Sequence, residues 1–357
     1  MQYTSGPAHD EPEVVVFGPG YGEAIAVHLG DNQWLLVDSC RNPATRAPAS
    51  LEYLQRIGVD PARVLAVVAS HWHDDHVRGL SALLDACSNA ELFISGVFND
   101  REAMAFLAAY SGRHTSGLSR GTRELYDSVD RLSSAVVPAT HRTLILEQQI
   151  NGKAVMVAAL SPTTEGQAKT LEHFLSYVPS HDGGADDRPI NHAPDLQPNM
   201  ESVVVHVDLG DDAILLGSDL EHHGLAGWHG IVESKFGRAR RPASVYKVAH
   251  HGSITAEYQG IWDVMLRSAP TSVLTPFING SVKLPKDADR SRIRAVSGTS
   301  FISSGASRRA LLDRDIEKRL DAMCSNLTPV NNGFGAVRVR RNNGVWSSTL
   351  FGDAMVL

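Results

Sequence analysis

The stretch SHWHDDHVRGL, Ser70–Leu80, holds three histidines and two adjacent aspartates within six consecutive positions. The run before it, VLAVVAS (Val64–Ser70), is apolar and rich in β-branched residues, which predicts a buried strand. The residues after it, GLSALLDAC, have helical spacing. The cluster therefore follows a core strand and precedes a helix, which is a common position for a functional site in a layered α/β protein.

The cluster has the residue types and the spacing of a metal-binding motif. Its candidate ligands are His71, His73, Asp75 and His76. Imidazole and carboxylate groups hold zinc at about 2.0–2.2 Å. His71 and His73 are two positions apart, so their side chains point the same way from extended backbone. The other two follow after the chain turns and could serve a second ion; two ions ~3.5–4 Å apart would generate and hold a hydroxide nucleophile.

The alternative is a solvent-exposed loop that is rich in histidine by chance, and the density of the cluster directly after a buried strand argues against it. Other apolar runs also end in polar groups. WLLVD ends at Asp38, and AILLGSD ends at Asp219. VYKVAHH ends at His250 and His251. Each of these alone is typical of a turn or cap, but together they predict a common rim where several strands end.

The set LLVDS, SHWHDDH, LLGSD and KVAHHGS resembles the metallo-β-lactamase fold superfamily. The stretches NMESVVVHV, ILLGSDLE and VYKVAHHGS are most similar to the branch that contains the C-terminal domain of competence-type DNA-uptake channel proteins. The phosphorylcholine esterase of the superfamily has a similar HHG ending. The resemblance extends from about Glu13 to Ser253 and implies an α/β fold, an αββα four-layer sandwich, with a two-metal site at one edge.

The resemblance also implies roles for individual residues. His71 and His73 would bind the first metal. Asp75 and His76 would bind the second, and Asp219 would bridge the two ions. These roles predict two zinc ions per chain, with manganese as the alternative because carboxylates contribute.

One of the tandem histidines would complete the second metal site. We favour His251 over His250, because the last ligand of the family usually precedes a small residue at the strand exit. His250 would then act catalytically, as a proton donor to the leaving group, beside the catalytic Asp75. Asp38 would orient the ligand loop by hydrogen bonds without binding metal.

The sequence departs from the family pattern at one position. Many members supply another histidine to the first metal just before the strand that corresponds to SVVVHV, whereas this sequence reads PNMES. Asn199 stands close to the expected place, and His192 is the nearest upstream histidine. Either of these side chains, or a water molecule, would complete the first metal site.

Composition and charge exclude several classes of protein. The chain has 357 residues, is 43% hydrophobic and carries a net charge of −7, which disfavours coating a nucleic acid. The three cysteines, Cys40, Cys87 and Cys324, are far apart in sequence. This indicates a reducing compartment and a protein without disulfides. The sequence has neither a secretory signal nor an apolar run near the ~18 residues that span a membrane, so we predict a cytoplasmic protein.

Length alone favours about two domains. We nevertheless predict one hydrolase domain over residues 1–357, with a helical insertion at about 101–137 and a C-terminal extension at about 284–357. The sequence leaves the oligomeric state open.

The predicted function is hydrolysis of a phosphodiester, in a nucleic acid or a nucleotide, by a hydroxide held between two metals. Three basic clusters could follow phosphates locally, or could simply be solvated faces: RARR (238–241), RSRIR (290–294) and RVRR (338–341). The same site could instead hydrolyse a small ester, lactone or amide. A non-catalytic module that keeps its metals for structure is disfavoured, since structural zinc sites are usually closed and mononuclear.

Overall fold

Two eight-stranded β-sheets form the centre of the computed structural model of this protein. The structure describes residues 3, 5–18, 22–99, 124, 125, 128, 136–175, 198–279, 281–305, 319, 323 and 333–357. In this part of the chain, no helix is long and apolar enough to cross a membrane. Cys40 and Cys87 are buried free thiols, and Cys324 lies outside the described residues.

The first sheet combines an antiparallel meander with a parallel half. In spatial order its strands are β17 (Val345–Gly352), β16 (Gly335–Asn342), β1 (Glu13–Gly18), β2 (Ala24–Gly30), β3 (Gln33–Val37), β4 (Val64–Ala69), β5 (Glu91–Ser95) and β6 (Val136–Ala139). The strands β3 to β6 run parallel to one another. Their carboxyl ends therefore meet at one edge of the sheet.

The second sheet has the same division. In spatial order its strands are β18 (Met355–Val356), β15 (Thr299–Ile302), β12 (Leu266–Leu274), β11 (Ala243–Lys247), β10 (Ala213–Leu216), β9 (Val205–Asp208), β8 (Lys153–Ala159) and β7 (Leu144–Ile150). The neighbours β10, β11, β12 and β15 are parallel. A separate hairpin pairs β13 (Phe277–Asn279) with β14 (Val282–Leu284).

Helices cover the outer faces of both sheets. In the described residues they are α1 (Ala49–Arg56), α2 (Asp74–Val77), α3 (Leu80–Ala86), α4 (Thr164–Leu175), α5 (Trp228–Glu233), α6 (Lys235–Arg238) and α7 (Asp287–Val296). The helix α1 packs its Leu54 into the same cluster as Phe17 of β1. On the other side, Trp228 of α5 packs with Leu215 of β10. The four layers are therefore helix, sheet, sheet and helix, and the predicted fold class is confirmed.

The central core lies between the sheets. Val14 and Val16 of β1 belong to this core, whereas Val15 and Phe17 face the outer helices, as the two-residue period of a strand requires. A strand that buries both faces needs apolar side chains at nearly every position, which explains the continuous apolar runs in the sequence.

The predicted C-terminal extension is part of both sheets. The hairpin of β16 and β17 pairs with β1, and β15 pairs with β12. Without these strands, β1 and β12 would leave open backbone donors and acceptors at a sheet edge, and such edges promote aggregation. The predicted helical insertion at about 101–137 lies almost entirely outside the described residues, and its last two residues begin β6.

Candidate metal centre

Four buried side chains converge at one edge of the sandwich, and they follow the strands β4, β10 and β11. They are Asp75, His76, Asp219 and His251, and their ligand atoms all lie within 4.8 Å of one another. The Nε2 atoms of His76 and His251 lie 3.4 and 3.3 Å from Oδ2 of Asp219. The Nε2 atom of His251 lies 3.4 Å from Oδ2 of Asp75. Nitrogen and carboxylate oxygen donors thus face a common point, as ligands of a cation do.

The donor atoms of this cluster need a partner that the described residues do not supply. The Nε2 atoms of His76 and His251 and the Oδ1 atom of Asp219 are buried without a hydrogen-bond partner there. A buried polar atom that is left unpaired costs about 1–3 kcal/mol. Three such atoms in one cluster fit a bound metal ion, because a cation would accept all of them as ligands.

The charge of the cluster points the same way. Burial alone lowers the pKa of His76, but the carboxylates of Asp219, Asp38 and Asp75 raise it well above its ordinary value. Burial also opposes charge on His251, yet Asp219 and Asp75 raise its pKa to about 9. The protein part of the site therefore holds an excess of negative charge, which divalent cations would balance.

The other two predicted ligands lie beside these four. The Nε2 atom of His71 is 3.0 Å from Nδ1 of His73, and the rings of His71 and His76 are 4.2 Å apart. Burial, followed by nearby His76, lowers the pKa of His71. Burial likewise lowers the pKa of His73. Both imidazoles are therefore neutral and have lone pairs available for a metal. The structure thus brings all six predicted ligands together.

Asp38 is linked to two of the ligands, directly to His76 and through the Ser70 hydroxyl to His71. Its carboxylate accepts from the backbone N–H of Ser70 at 2.7 Å and from the Ser70 hydroxyl at 2.8 Å. Since that hydroxyl donates to Asp38, its oxygen accepts from Nδ1 of His71 at 3.0 Å. Nδ1 of His76 donates directly to Asp38 at 2.7 Å. In the neutral form that binds metal, both histidines thus carry their proton on Nδ1, and Nε2 has the lone pair that a metal ion requires.

The tandem histidines have different surroundings. His251 is buried within the ligand cluster. The side chain of His250 is 19% exposed, and its Nδ1 lies 3.1 Å from Glu221 Oε1 and 3.0 Å from Thr255 Oγ1. Burial lowers the pKa of His250. The structure therefore brings His251 to the other ligands and leaves His250 at the rim of the site.

Backbone in the left-handed region makes this separation possible. His250 and His251 have φ angles of 45° and 53°, and Asp38 and Ser218 have 60° and 46°. Such angles are uncommon for residues other than glycine and cluster at functional sites. Gly252 continues the turn with a φ of 81°, and a Cβ there would lie 2.5 Å from Leu274 Cδ2. The HHG sequence therefore forms a tight turn that points the two imidazoles in different directions.

Asn199 lies near the rim, at the position where the family pattern calls for a histidine. Its Nδ2 donates to Glu221 Oε1 at 2.8 Å and lies 3.4 Å from Nε2 of His250. Its Oδ1 is buried and has no hydrogen-bond partner among the described residues. An amide oxygen of this kind is available as a metal ligand. His192, the other candidate, lies outside the described residues.

Three buried residues next to the ligands were not predicted from the sequence: Glu23, Lys247 and Thr275. Glu23 and Lys247 form an ion pair of 2.6 Å, and Thr275 contacts both Glu23 and His251. A signal was present, because Lys247 interrupts the apolar run SVYKVA and a charge within a buried strand requires a buried partner. The sequence does not say which residue that partner is.

Comparison with known protein families gives a match to part of the chain. The family model described as the metallo-beta-lactamase superfamily matches residues 17–94, a segment that includes Asp38 and the SHWHDDH motif. This match supports membership of the chain in that superfamily. A search of curated proteins found no match. The similarity to the competence-type branch remains a prediction.

Similar solved structures include the metallo-beta-lactamase SMB-1 bound to 2-mercaptoethanesulfonate, at 12% identity over 70% of this chain and 80% of that chain, with a TM-score of 0.36. The hydrolase AbOPH of the beta lactamase superfamily shares 15% identity over 62% and 75%, with a TM-score of 0.34. A flavoprotein from Thermotoga maritima shares 16% over 55% of this chain and 32% of its own length, with a TM-score of 0.27. No functional conclusion follows from similarities this low.

Proposed function

We propose that this protein is a metal-dependent hydrolase of phosphodiesters, with a substrate the size of a nucleotide. The observation that carries the proposal is the convergence of buried donors, in which two imidazole Nε2 atoms and Asp219 Oδ1 have no partner among the described residues. The family match supports the hydrolase class. The phosphodiester is inferred from the two-metal ligand set and from the resemblance to the competence-type branch, and the small size is inferred from the ion pairs of the basic clusters.

The ligands divide into two groups that share one carboxylate. Asp75, His76 and His251 would hold one ion, and His71 and His73 would hold the other. Asp219 would bridge the two, and the Oδ1 atom of Asn199 is the available donor to complete the histidine pair. Divalent ions bound here would supply an activated water molecule and would stabilise negative charge on a phosphoryl group.

The remaining chemistry belongs to side chains at the rim. His250 lies outside the ligand cluster, and its Nδ1 faces Glu221 Oε1 at 3.1 Å. The Glu221 carboxylate orients the ring and, with Asp219, opposes the effect of burial by favouring the protonated imidazole. We assign His250 the transfer of a proton to the leaving-group oxygen. Asp38, which contacts His76 and Ser70, has the separate task of orienting the ligands.

Ion pairing of the basic clusters favours a small substrate over a nucleic acid. In each cluster a guanidinium is engaged by a carboxylate of this chain: Arg241 by Asp208 at 3.0 Å, Arg292 by Asp289 at 2.8 Å and Arg340 by Glu13 at 2.6 Å. Binding of a polyanion depends on cationic groups that are free to replace counterions at the phosphates. These arginines are therefore poor candidates for a phosphate-tracking groove. The second candidate substrate is a small ester, lactone or amide, because the ion pairing of these arginines also fits a substrate without phosphates.

A substrate panel tests this proposal. The protein is freed of metal with a chelator, reloaded with Zn²⁺ or Mn²⁺, and assayed with bis(4-nitrophenyl) phosphate, 4-nitrophenyl acetate, a lactone, a β-lactam and an oligonucleotide. We expect fastest turnover of the phosphodiester, metal dependence, and loss of turnover in Asp219→Asn. Faster hydrolysis of the acetate or the lactone would establish the second candidate. Metal binding without turnover of any member of the panel would contradict the hydrolase assignment.

A further inference from the structure

A buried ion pair crosses between the two sheets directly behind the candidate metal centre. The Nζ atom of Lys247 lies 2.6 Å from Oε2 of Glu23, and their side chains are 1% and 0% exposed. Glu23 precedes β2 of the first sheet, and Lys247 is the last residue of β11 in the second. Removing two charges from water costs several kcal/mol per ion, so such a pair is weak evidence for stability by itself. Its position suggests another role.

The ion pair is connected to His251 through one hydroxyl group. Oγ1 of Thr275 donates to Glu23 Oε2 at 2.5 Å. Because that hydroxyl hydrogen is used, the Thr275 hydroxyl oxygen accepts from Nδ1 of His251 at 2.9 Å, and the Thr275 backbone oxygen lies 3.2 Å from the same nitrogen. In the neutral form that binds metal, the proton of His251 is thereby held on Nδ1, and Nε2 faces Asp75 and Asp219. Partners of this kind set the tautomer and ring orientation of metal-binding histidines.

The same pair also contacts the segments that carry the two aspartates. Lys247 Nζ lies 4.0 Å from Asp219 Oδ1 and donates to the backbone oxygen of Ser218 at 3.3 Å. The backbone N–H of Glu23 donates to the backbone oxygen of Asp75 at 2.8 Å. Three of the four clustered ligands, Asp75, Asp219 and His251, are therefore contacted by the ion pair or by the threonine bonded to it.

Lys247 also supplies a positive charge next to the Glu23 carboxylate. The carboxylate of Glu23 lies close enough to Asp38 and His76 for their ligand atoms to be within 4.8 Å of one another. Without a counter-charge, Glu23 would be an additional carboxylate able to compete for a cation at the wrong place. The Lys247 ammonium pairs with this carboxylate at 2.6 Å and balances its charge.

We infer that Glu23, Lys247 and Thr275 are positioning residues that set the geometry of the Asp75, His76, Asp219 and His251 metal site. This inference rests on the proposed function, since it requires that the cluster binds metal. An ordinary structural ion pair contributes only to the stability of the fold. Loss of these three residues would also change the affinity and the coordination of one metal ion.

Cobalt binding tests the inference, because Co²⁺ reports coordination through its visible absorption. The metal-free full chain is titrated with Co²⁺ in competition with a chromophoric chelator, for the wild type and four variants. Thr275→Val removes the hydroxyl, and Thr275→Ser keeps it. Glu23→Gln removes the charge that faces Lys247. Glu13→Gln is the matched control, because Glu13 is also fully buried and paired at 2.6 Å, with Arg340, but does not contact the ligands.

We expect Thr275→Val and Glu23→Gln to weaken one of two Co²⁺ sites by about 10–100-fold, the usual effect of losing an outer partner of a metal ligand, and to change the cobalt spectrum. Thr275→Ser should restore both properties, and Glu13→Gln should lower only the resistance to urea. Wild-type cobalt affinity and spectrum in Thr275→Val and Glu23→Gln would overturn the inference and leave the proposed function intact. If Glu23→Gln does not fold, the two Thr275 variants decide. A wild-type chain that binds no Co²⁺ would instead overturn the proposed function itself.

Discussion

The Nδ1 atom of His76 donates a hydrogen bond of 2.7 Å to Oδ2 of Asp38, and both side chains are completely buried. The two residues are 38 positions apart in sequence. Asp38 follows β3 and has a left-handed φ of 60°, whereas His76 lies in α2, after the neighbouring strand β4. The contact therefore joins the ends of two parallel strands, and it determines which nitrogen of His76 is free to bind metal.

We expect Asp38→Asn to weaken metal binding by about 10–100-fold. The carboxylate accepts three hydrogen bonds, from the backbone and hydroxyl of Ser70 and from His76, whereas an amide has only one acceptor atom. Competition with a chromophoric chelator measures the change. Asp60→Asn is the control, because Asp60 accepts only a local backbone hydrogen bond, from Ala62. Equal affinities of the wild type and Asp38→Asn would refute the orienting role.

Metal content provides the second prediction. We expect up to two divalent ions per chain after dialysis against Zn²⁺, and about one in a His71→Ala, His73→Ala double variant, since only the histidine pair is lost. Elemental analysis of the dialysed protein measures the ratio. A wild-type chain that retains no metal, and shows no activation by added ions, would remove the basis of the site assignment.

The third prediction separates the tandem histidines. His251→Ala should lower metal occupancy, because the His251 Nε2 lies 3.3 Å from the shared Asp219 carboxylate. His250→Ala should keep both metals and slow hydrolysis, most strongly for substrates with poor leaving groups, by about 10²–10⁴-fold. Metal content and rate are measured on the two variants in parallel. Loss of metal in His250→Ala, with normal content in His251→Ala, would reverse the assignment.

The pKa values of two histidines away from the metal site predict that the fold is less stable at acidic pH. Burial lowers the pKa of His28 to about 4 and that of His206 to about 4. The unfolded chain therefore binds more protons than the folded chain between about pH 6.5 and 4, and stability falls as the pH falls through that window. The free energy of unfolding decreases by roughly 3 kcal/mol per histidine when the pH falls to 4.

Urea unfolding at several pH values checks this prediction in the metal-free protein. His206→Gln removes the titrating ring but keeps an amide N–H that can replace its donation to the backbone oxygen of Arg241, which spans 2.8 Å in the wild type. The variant should lose less stability than the wild type on acidification. Identical pH dependence of the two proteins would show that His206 is not buried in its neutral form.

Much of the site was predictable because its signals are local. A metal motif, such as the one from His71 to His76, needs several ligands within a few residues, and the apolar run before it identifies the strand that ends there. Asp38 and Asp219 were found in the same way, since Asp38 directly follows the apolar strand β3 and Asp219 comes three residues after the end of β10. The central sandwich was implied by the resemblance of these motifs to the metallo-β-lactamase fold superfamily. The apolar runs themselves predicted only the buried strands.

Other features depended on contacts between distant residues. Thr275 and Glu23 are 252 positions apart, and only the packing of one sheet on the other brings their side chains together. The adjacent His250 and His251 are chemically identical in sequence, and left-handed backbone angles of 45° and 53° separate their surroundings. The sequence by itself thus determined the strands and the donor groups at their ends, because period and residue type are local properties. Only the tertiary structure decided which donors meet and which charge lies behind them, because pairing across sheets depends on distances that no local pattern encodes.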